Sequence, residues 1–208
     1  MTTPPEIHSV RAESTRSAGN PPSRRTSETI RRMALFAGLL FSGLFAGFLL
    51  AVLILEASLR RFPASVYTQV RQVELAHLDD LATVLLPATL LATATLVVVT
   101  IARPGRTRWL ALTALALLLA TFIISMLISV PINTDQQGWS VLAPPSDWAR
   151  VRDRWQIAHL VRTTTAVCAF ITLVAAAITP APPGARRAQG AGTATALIRP
   201  EPTPREES

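Results

Sequence analysis

The chain has 208 residues, of which 50% are hydrophobic and only 16% are charged, and its mean hydropathy is +0.36. Soluble domains usually contain about 25% charged residues. The apolar residues are concentrated in four long blocks, which excludes an ordinary soluble globular protein. The net charge of +7 is spread among acidic residues and polar ends without an aromatic–basic pattern, so we predict no nucleic-acid partner.

The basic and sulfur-containing residues narrow the class of protein further. All 20 basic residues are arginine, and alanine is abundant, a skew that is typical of GC-rich genomes and leads us to expect a bacterial source. Cys168 is the single cysteine of the sequence. A lone cysteine excludes an internal disulfide and a cysteine-rich metal site.

The first element after the N-terminal tail is an uncharged block. Residues 1–32 are polar and rich in Pro, Ser, Thr and Arg, which predicts a disordered tail. Residues 33–55 carry no charge, so we place a first membrane span at about 33–56. Gly43 and Gly47 in this span form a small-xxx-small pattern that lets helices approach closely.

The second and third apolar blocks contain or border prolines. The second span covers about residues 81–102, and a kink is expected at Pro87. Pro63 suits a first helical position, which leaves an earlier start of this helix open. The third span covers about residues 109–132, with an interfacial tryptophan at its start and Pro131 near its end.

The fourth block is too short to cross a bilayer by itself. Residues 163–178 are uncharged but reach only about 24 Å at about 1.5 Å per residue, less than a hydrocarbon core of about 30 Å. The span must therefore extend back to about residue 157, giving a span of 157–178 that includes His159 and Arg162. Beyond Pro180 the chain is polar again, which predicts a second disordered tail at 181–208.

These four spans predict an all-α fold, a four-helix transmembrane bundle that runs up-down-up-down through the lipid bilayer over residues 33–180. Positive residues favour the cytoplasmic side of a membrane. With both termini inside, nine arginines flank the inner ends of the spans and six flank the outer ends. We therefore predict a multi-pass plasma-membrane protein with both tails, 1–32 and 181–208, in the cytoplasm.

The connectivity of such a bundle brings the polar residues near the membrane to one end, the outer end in this orientation. On the fourth helix, residues spaced by 4, 3, 4, 3 and 4 positions form one stripe: Trp148, Arg152, Trp155, His159, Arg162 and Ala166. A charged arginine in hydrocarbon costs about 3 kcal/mol and normally faces the bundle interior. We predict Glu56 and Glu74 as partners of Arg162, in an interior ion pair whose role is either structural or functional.

A metal site is one alternative use of the same residues. Glu74 and His77 form a Glu-x-x-His pair of the kind that ferritin-like bundles use twice to bind iron or manganese, although it occurs here only once. Together with His159 and Glu56 it would supply two histidines and carboxylates, a set that suits iron. Apart from such a metal ion, the sequence leaves the cofactor undetermined.

The third and fourth helices carry a recognisable pattern. A Pro-x-Asn turn at Pro131 and Asn133 is followed by Trp-x3-Arg-x2-Trp-x3-His-x2-Arg starting at Trp148. This pattern, together with the glycines of the first helix, resembles the anthrone oxygenase-like membrane proteins over about residues 33–178. Many members carry a second asparagine where this chain has Thr134. The resemblance implies a four-helix membrane protein, and some fungal members take part in the oxygenation of anthrones to anthraquinones.

The leading hypothesis is therefore an enzyme that oxygenates or otherwise oxidises a small aromatic or lipid-soluble substrate in a polar pocket. His159 would act as a base or metal ligand, Arg162 would stabilise a developing negative charge, and Asn133 would complete the catalytic group. The substrate would lie against Trp148, Trp155 and Arg152.

Two other classes of function stay open. One is a non-enzymatic membrane partner subunit or small-molecule-binding protein, in which Arg162 and the glutamates form an ion-paired latch. The other is a transporter, although four spans without an inverted repeat are few for a transport path.

Overall fold

The computed structural model describes residues 22–102 and 105–179, and the predictions for residues 1–21, for Arg103 and for the tail beyond residue 179 lie outside that part of the chain. The described residues form helices without strands. In chain order these are α1 (Pro22–Leu59), α2 (Ala64–His77), α3 (Asp79–Ile101), α4 (Arg106–Ile124), a short π-helical segment (Ser125–Ser129), α5 (Val130–Gln137) and α6 (Trp148–Ile178).

Four of the helical stretches are long and apolar enough to cross a membrane. They are Thr26–Leu59, Asp79–Ile101, Arg106–Gln137 and Trp148–Ile178. The predicted all-α, four-helix transmembrane bundle is therefore confirmed, and each span overlaps the apolar block from which it was predicted. The lengths differ because each of the four stretches continues into charged residues beyond its uncharged block.

The first helix begins earlier than its uncharged block. It starts at Pro22, so residues 22–32, which we expected to be disordered, are helical. Glu28 pairs with Arg31 at 2.8 Å and with Arg32 at 3.0 Å. Carboxylate–guanidinium pairs three and four residues apart stabilise a helix, and this local pairing is the physical reason for the correction.

The second predicted helix is divided in two. Pro63 precedes α2, as its fixed φ favours, but the helix ends at His77 and α3 begins at Asp79 after a turn at Leu78. The polar segment that leads into the second span is thus a helix of its own. Pro87 lies inside α3, which continues past it to Ile101.

The third span does not end at Pro131. Proline lacks the N–H that an α-helix needs in its interior, and the chain passes into the π-helical segment immediately before it. The helix then continues as α5 to Gln137, so the predicted end at residue 132 is wrong by one and a half turns. The wider π turn keeps residues spaced by four on one face, and Ser125, Ser129 and Asn133 are all buried.

The predicted stripe of α6 is the buried face of that helix. Trp155, His159 and Arg162 are buried, and the same face continues with small or apolar residues: Ala166, Ala169, Leu173 and Ala176. The polar part of the stripe lies at one end of the bundle and the apolar part fills the rest. Below the polar part, leucines and alanines of α1, α3, α4 and α6 form the apolar core.

Gly43 allows α1 and α6 to approach each other, whereas Gly47 does not take part. A Cβ added at Gly43 would lie 3.2 Å from Cε2 of Phe170, while one added at Gly47 would meet nothing within 4 Å. We therefore expect Gly43→Val to destabilise the bundle by about 1–3 kcal/mol through overpacking. Gly47→Val is the matched control and should leave the thermal unfolding temperature in detergent nearly unchanged. Equal losses from both substitutions would contradict this account of the packing.

Candidate functional site

A buried arginine of α2 organises the polar end of the bundle. Arg71 is 3% exposed, and its three guanidinium nitrogens all donate hydrogen bonds. Nε donates to Gln136 at 2.8 Å, Nη1 to Glu74 at 2.7 Å and Nη2 to Asn133 at 2.7 Å. A buried guanidinium is tolerated when its donors are satisfied in this way and its charge is balanced.

The charge of Arg71 is balanced by two buried carboxylates. Glu74 contacts Nη1 at 2.7 Å, and Glu56 of α1 contacts the same nitrogen at 3.6 Å. Gln156 of α6 holds Glu56 from the other side, because its amide donates to the Glu56 carbonyl and to its carboxylate, each at 2.9 Å. Three helices are thus joined through one carboxylate–guanidinium group.

Asn133 connects this group to the tryptophan of α6. Its Oδ1 accepts hydrogen bonds from Arg71 and from Nε1 of Trp155, each at 2.7 Å. Its amide nitrogen donates to Asp79 at 3.2 Å. These three bonds fix the orientation of the Asn133 side chain and leave its carbonyl oxygen with both lone pairs in use.

Tyr67 closes the cluster on the side away from the core. Its hydroxyl accepts a hydrogen bond from Gln136 at 3.2 Å, and its ring lies 5.6 Å from that of Trp148. Burial raises the pKa of Tyr67 well above its usual value, and the nearby Glu56 carboxylate acts in the same direction. Tyr67 is therefore a neutral phenol that contributes structure and no charge.

His159 is buried with one ring nitrogen free. Nε2 lies 2.9 Å from the backbone carbonyl of Leu49, an acceptor, so Nε2 carries the proton of the neutral ring. Nδ1 is then an acceptor, and it is buried without a hydrogen-bond partner among the described residues. The imidazole stacks on Trp155 with ring centroids 4.7 Å apart and planes 7° from parallel. The guanidinium of Arg71 lies 3.8 Å from the ring centroid of the same tryptophan.

Arg162 differs from the predicted pattern. Its expected partners, Glu56 and Glu74, pair with Arg71 instead, because Arg71 lies three residues from Glu74 on the same helix. Arg162 is 8% exposed and forms no ion pair with any described residue, and its Nε has no hydrogen-bond partner there. A buried guanidinium without a direct ion pair is energetically unfavourable, so we expect Arg162 to favour a bound anion.

His159 and Arg162 border one small cavity. It leaves about 30 Å³ to the centres of water-sized molecules and lies where α1, α2, α3, α5 and α6 meet. Its polar lining is Arg71, Glu74, Asp79, Asn133, His159 and Arg162. Its apolar lining is Phe48, Val52, Leu75, Leu78, Ala82 and the ring of Trp155. The cavity combines an unpartnered base, an unpaired cation and an apolar wall.

Four of the predicted site residues lie outside the cavity lining, and one of them, Glu56, instead contacts Arg71. His77 is exposed and does not line the cavity. Trp148 and Arg152 also lie outside the lining, and Arg152 instead stacks 4.8 Å from the Trp148 ring centroid. The four predicted metal ligands are therefore not brought together, and the described residues contain no group of three or more His, Cys, Asp or Glu that could hold a metal ion. Between Glu56 and Glu74 the cation is the guanidinium of Arg71.

Sequence reasoning found Glu74 and Asn133 but missed Tyr67 and Arg71 of α2 and Gln136 of α5. Tyr67, Arg71, Glu74 and Leu78 are spaced by 4, 3 and 4 positions, the same helical spacing as the stripe of α6. That repeat was a usable signal for a buried face on α2. Gln136 follows Asn133 by three residues and could have been found in the same way. No local sequence pattern indicates which arginine forms ion pairs with Glu56 and Glu74.

Together, the four long apolar helices and the buried cluster define a polytopic membrane protein with a small, partly polar cavity at one end of its bundle. Residues 77–172 match the family model described as anthrone oxygenase. This match confirms the resemblance to the anthrone oxygenase-like family that the sequence predicts, and it covers slightly less than half of the chain. The matched stretch contributes Asn133, Trp155, His159 and Arg162 to the cavity, whereas Arg71 and both glutamates precede it. No curated protein and no solved structure was found to match the chain.

The Arg71 group gives a direct test of the ion-pair assignment. Arg71→Gln removes the cation between two buried carboxylates, and such a loss typically costs about 3–5 kcal/mol. We expect a large fall in the thermal unfolding temperature of the purified protein in detergent. Adding Glu74→Gln to this variant should restore part of the loss.

Arg162→Gln is the matched control, because that arginine has no ion pair to lose among the described residues. Its unfolding temperature should stay near that of the wild type. A control as unstable as Arg71→Gln would contradict the assignment of both glutamates to Arg71 alone.

Proposed function

We propose that this protein oxygenates a small, lipid-soluble aromatic substrate of the anthrone type with O2, at the cavity bordered by His159 and Arg162. The observation that carries the proposal is that His159 and Arg162 border the same cavity. Among the described residues, Nδ1 of His159 has no hydrogen-bond partner and the Arg162 guanidinium has no ion pair. The family match over residues 77–172 supports the substrate class.

The two residues supply what the first chemical step requires. An anthrone has an acidic CH2 group between two aromatic rings, conjugated with a ketone on the opposite side of the central ring. Nδ1 of His159 accepts a proton from this carbon, and the negative charge moves to the ketone oxygen. Arg162 stabilises that oxygen, since a fixed cation in a dry site lowers the energy of a developing anion.

The oxidant is O2, and the electrons come from the substrate anion. The carbanion carbon forms a bond to one oxygen atom, which gives a hydroperoxide once a proton is returned. Loss of water from the hydroperoxide leaves a new C=O group in place of the CH2 group. One oxygen atom thus enters the product and the other leaves as water. The role of the protein is to remove the proton and to hold the anion.

The size of the cavity adds a requirement for access. Small-molecule sites usually measure about 300–1,000 Å³, whereas this cavity leaves about 30 Å³. In the described conformation it accepts O2 or the reacting edge of a substrate. A three-ring substrate therefore requires the apolar wall formed by Phe48, Val52 and Ala82 to move outward.

From the arginine distribution we propose that the protein lies in the plasma membrane with both termini in the cytoplasm. The cavity then lies near the outer surface. Cysteine-free protein carrying a single new cysteine in the loop before Trp148 should be labelled by an impermeant maleimide in intact cells. Labelling only after cell disruption would reverse the orientation.

His159→Ala tests the chemistry directly. Membranes that contain the wild type should consume O2 in the presence of a hydroxylated anthrone faster than membranes without the protein, which report spontaneous oxidation. We expect His159→Ala to lose this excess by at least about 100-fold, the lower range for a general base. Added imidazole should restore part of it by filling the space of the removed ring.

His77→Ala is the matched control, because that histidine is exposed and lies outside the cavity. Its rate should equal that of the wild type. Full activity of His159→Ala, or an equal loss from His77→Ala, would contradict the assignment of the base.

A non-enzymatic membrane partner or binding protein is the second candidate, and the bonding of Arg71 favours it. Each of the three guanidinium nitrogens is used in joining α2 to α5 and to the glutamates, an arrangement that stabilises a bundle without any reaction. This candidate is supported if membranes with the wild type, with His159→Ala, with Arg162→Gln and without the protein all consume O2 at the same rate. Arg71→Gln should still unfold the protein.

A further inference from the structure

We propose that the groove between α4 and α6 is a binding site for an anionic phospholipid, with the headgroup at Arg150 and Arg154 and an acyl chain between the helices. The groove has a volume of about 780 Å³, within the range of about 300–1,000 Å³ that ligand sites occupy. It is distinct from the small cavity near His159, with which it shares no lining residue.

The groove changes from basic to apolar along a single face of α6. Arg150, Arg154, Ile157 or Ala158, and Val161 follow one another at helical spacing. Ile124 and Ile128 form the facing wall, at the end of α4 and in the π-helical segment. This order, charge at the rim and hydrocarbon below it, is the order of groups in a phospholipid.

The charges at the rim leave an excess of positive charge. Asp153 forms ion pairs with Arg60 and Arg152, each at 2.9 Å, so the negative charge of Asp153 is already balanced. Arg150 pairs with Asp147, whereas Arg154 is exposed and forms no ion pair with a described residue. Four arginines therefore meet two carboxylates here. A phosphate group complements such a surface, and a zwitterionic headgroup does so less well.

The length of the groove fits one leaflet. The twelve residues from Arg150 to Val161 cover about 16 Å of helix, close to half of a hydrocarbon core of about 30 Å. Ile157 is 64% exposed and Val161 is 43% exposed, so this wall faces the bilayer in the monomer. A lipid with its phosphate at the rim would extend its chain to about the middle of the membrane.

The test uses native mass spectrometry of the full-length protein in detergent micelles. Equimolar phosphatidylglycerol and phosphatidylcholine with identical chains are added, and the fraction of protein carrying each lipid is counted. We expect phosphatidylglycerol to be retained preferentially. Arg154→Gln should lower its retention about fivefold, since one arginine near the membrane surface contributes about that factor.

Two matched controls separate a built site from general attraction. Arg61→Gln removes an exposed arginine that has no ion pair with a described residue but lies outside the groove, and should leave retention unchanged. Ile157→Trp should lower retention by filling the groove, while Ile171→Trp, at a residue 59% exposed on the same helix, should not.

Three results would overturn the proposal. Equal retention of the two lipids would remove the role of charge, and an equal effect of Arg61→Gln and Arg154→Gln would show diffuse attraction. A dimer that Ile157→Trp dissociates would assign the groove to a second copy of the chain. Circular dichroism of each variant confirms that the helices are intact before retention is compared.

Discussion

The buried guanidinium of Arg71 is the constraint on which the polar end of the bundle depends. An ionised group in a low-dielectric interior is stable only when it is paired and its donors are satisfied. Glu56 and Glu74 supply the opposite charge, and amide groups accept the remaining donors. Since the partners come from α1, α2 and α5, satisfying one side chain fixes the relative position of three helices. Toward the opposite end the described residues of α1, α3, α4 and α6 pack through an apolar core.

In this arrangement the charged groups that stabilise the bundle are different from the buried arginine that borders the cavity. Both glutamates are used by Arg71, which leaves Arg162 buried without an ion pair among the described residues. Nε2 of His159 donates its proton to the carbonyl of Leu49, and Nδ1 has no hydrogen-bond partner among the described residues. Trp155 lies between Arg71 and His159. The Arg71 guanidinium is 3.8 Å from its ring centroid, and the His159 ring stacks on it with centroids 4.7 Å apart. The cluster therefore positions the imidazole without bonding to Nδ1, the nitrogen to which we assign the role of base.

Hydropathy and helical spacing predicted the four spans and the buried stripe of α6, because both depend on residues close together in the chain. The insertion requirement of the short fourth block correctly drew His159 and Arg162 into the bundle. The ion pairing could not be predicted in this way, since several arginines and glutamates reach the same end and only the packing of α2 decides among them. The polar composition of α2 also resembles a solvated loop. The π-helical turn before Pro131 leaves no local signal that distinguishes it from a simple helix end.

The contrast between the two kinds of wall around the cavity bears on how a substrate could reach it. The polar side is held by Arg71, and separating its partners would expose a buried charge at a cost of about 3–5 kcal/mol. Phe48, Val52 and Ala82 on the other side make no side-chain hydrogen bonds, so their displacement loses only apolar contact, which lipid tails or a lipid-soluble substrate would replace. Opening toward the bilayer therefore costs less than opening toward water. A substrate that partitions into the membrane can approach His159 from the apolar side while the Arg71 cluster stays intact.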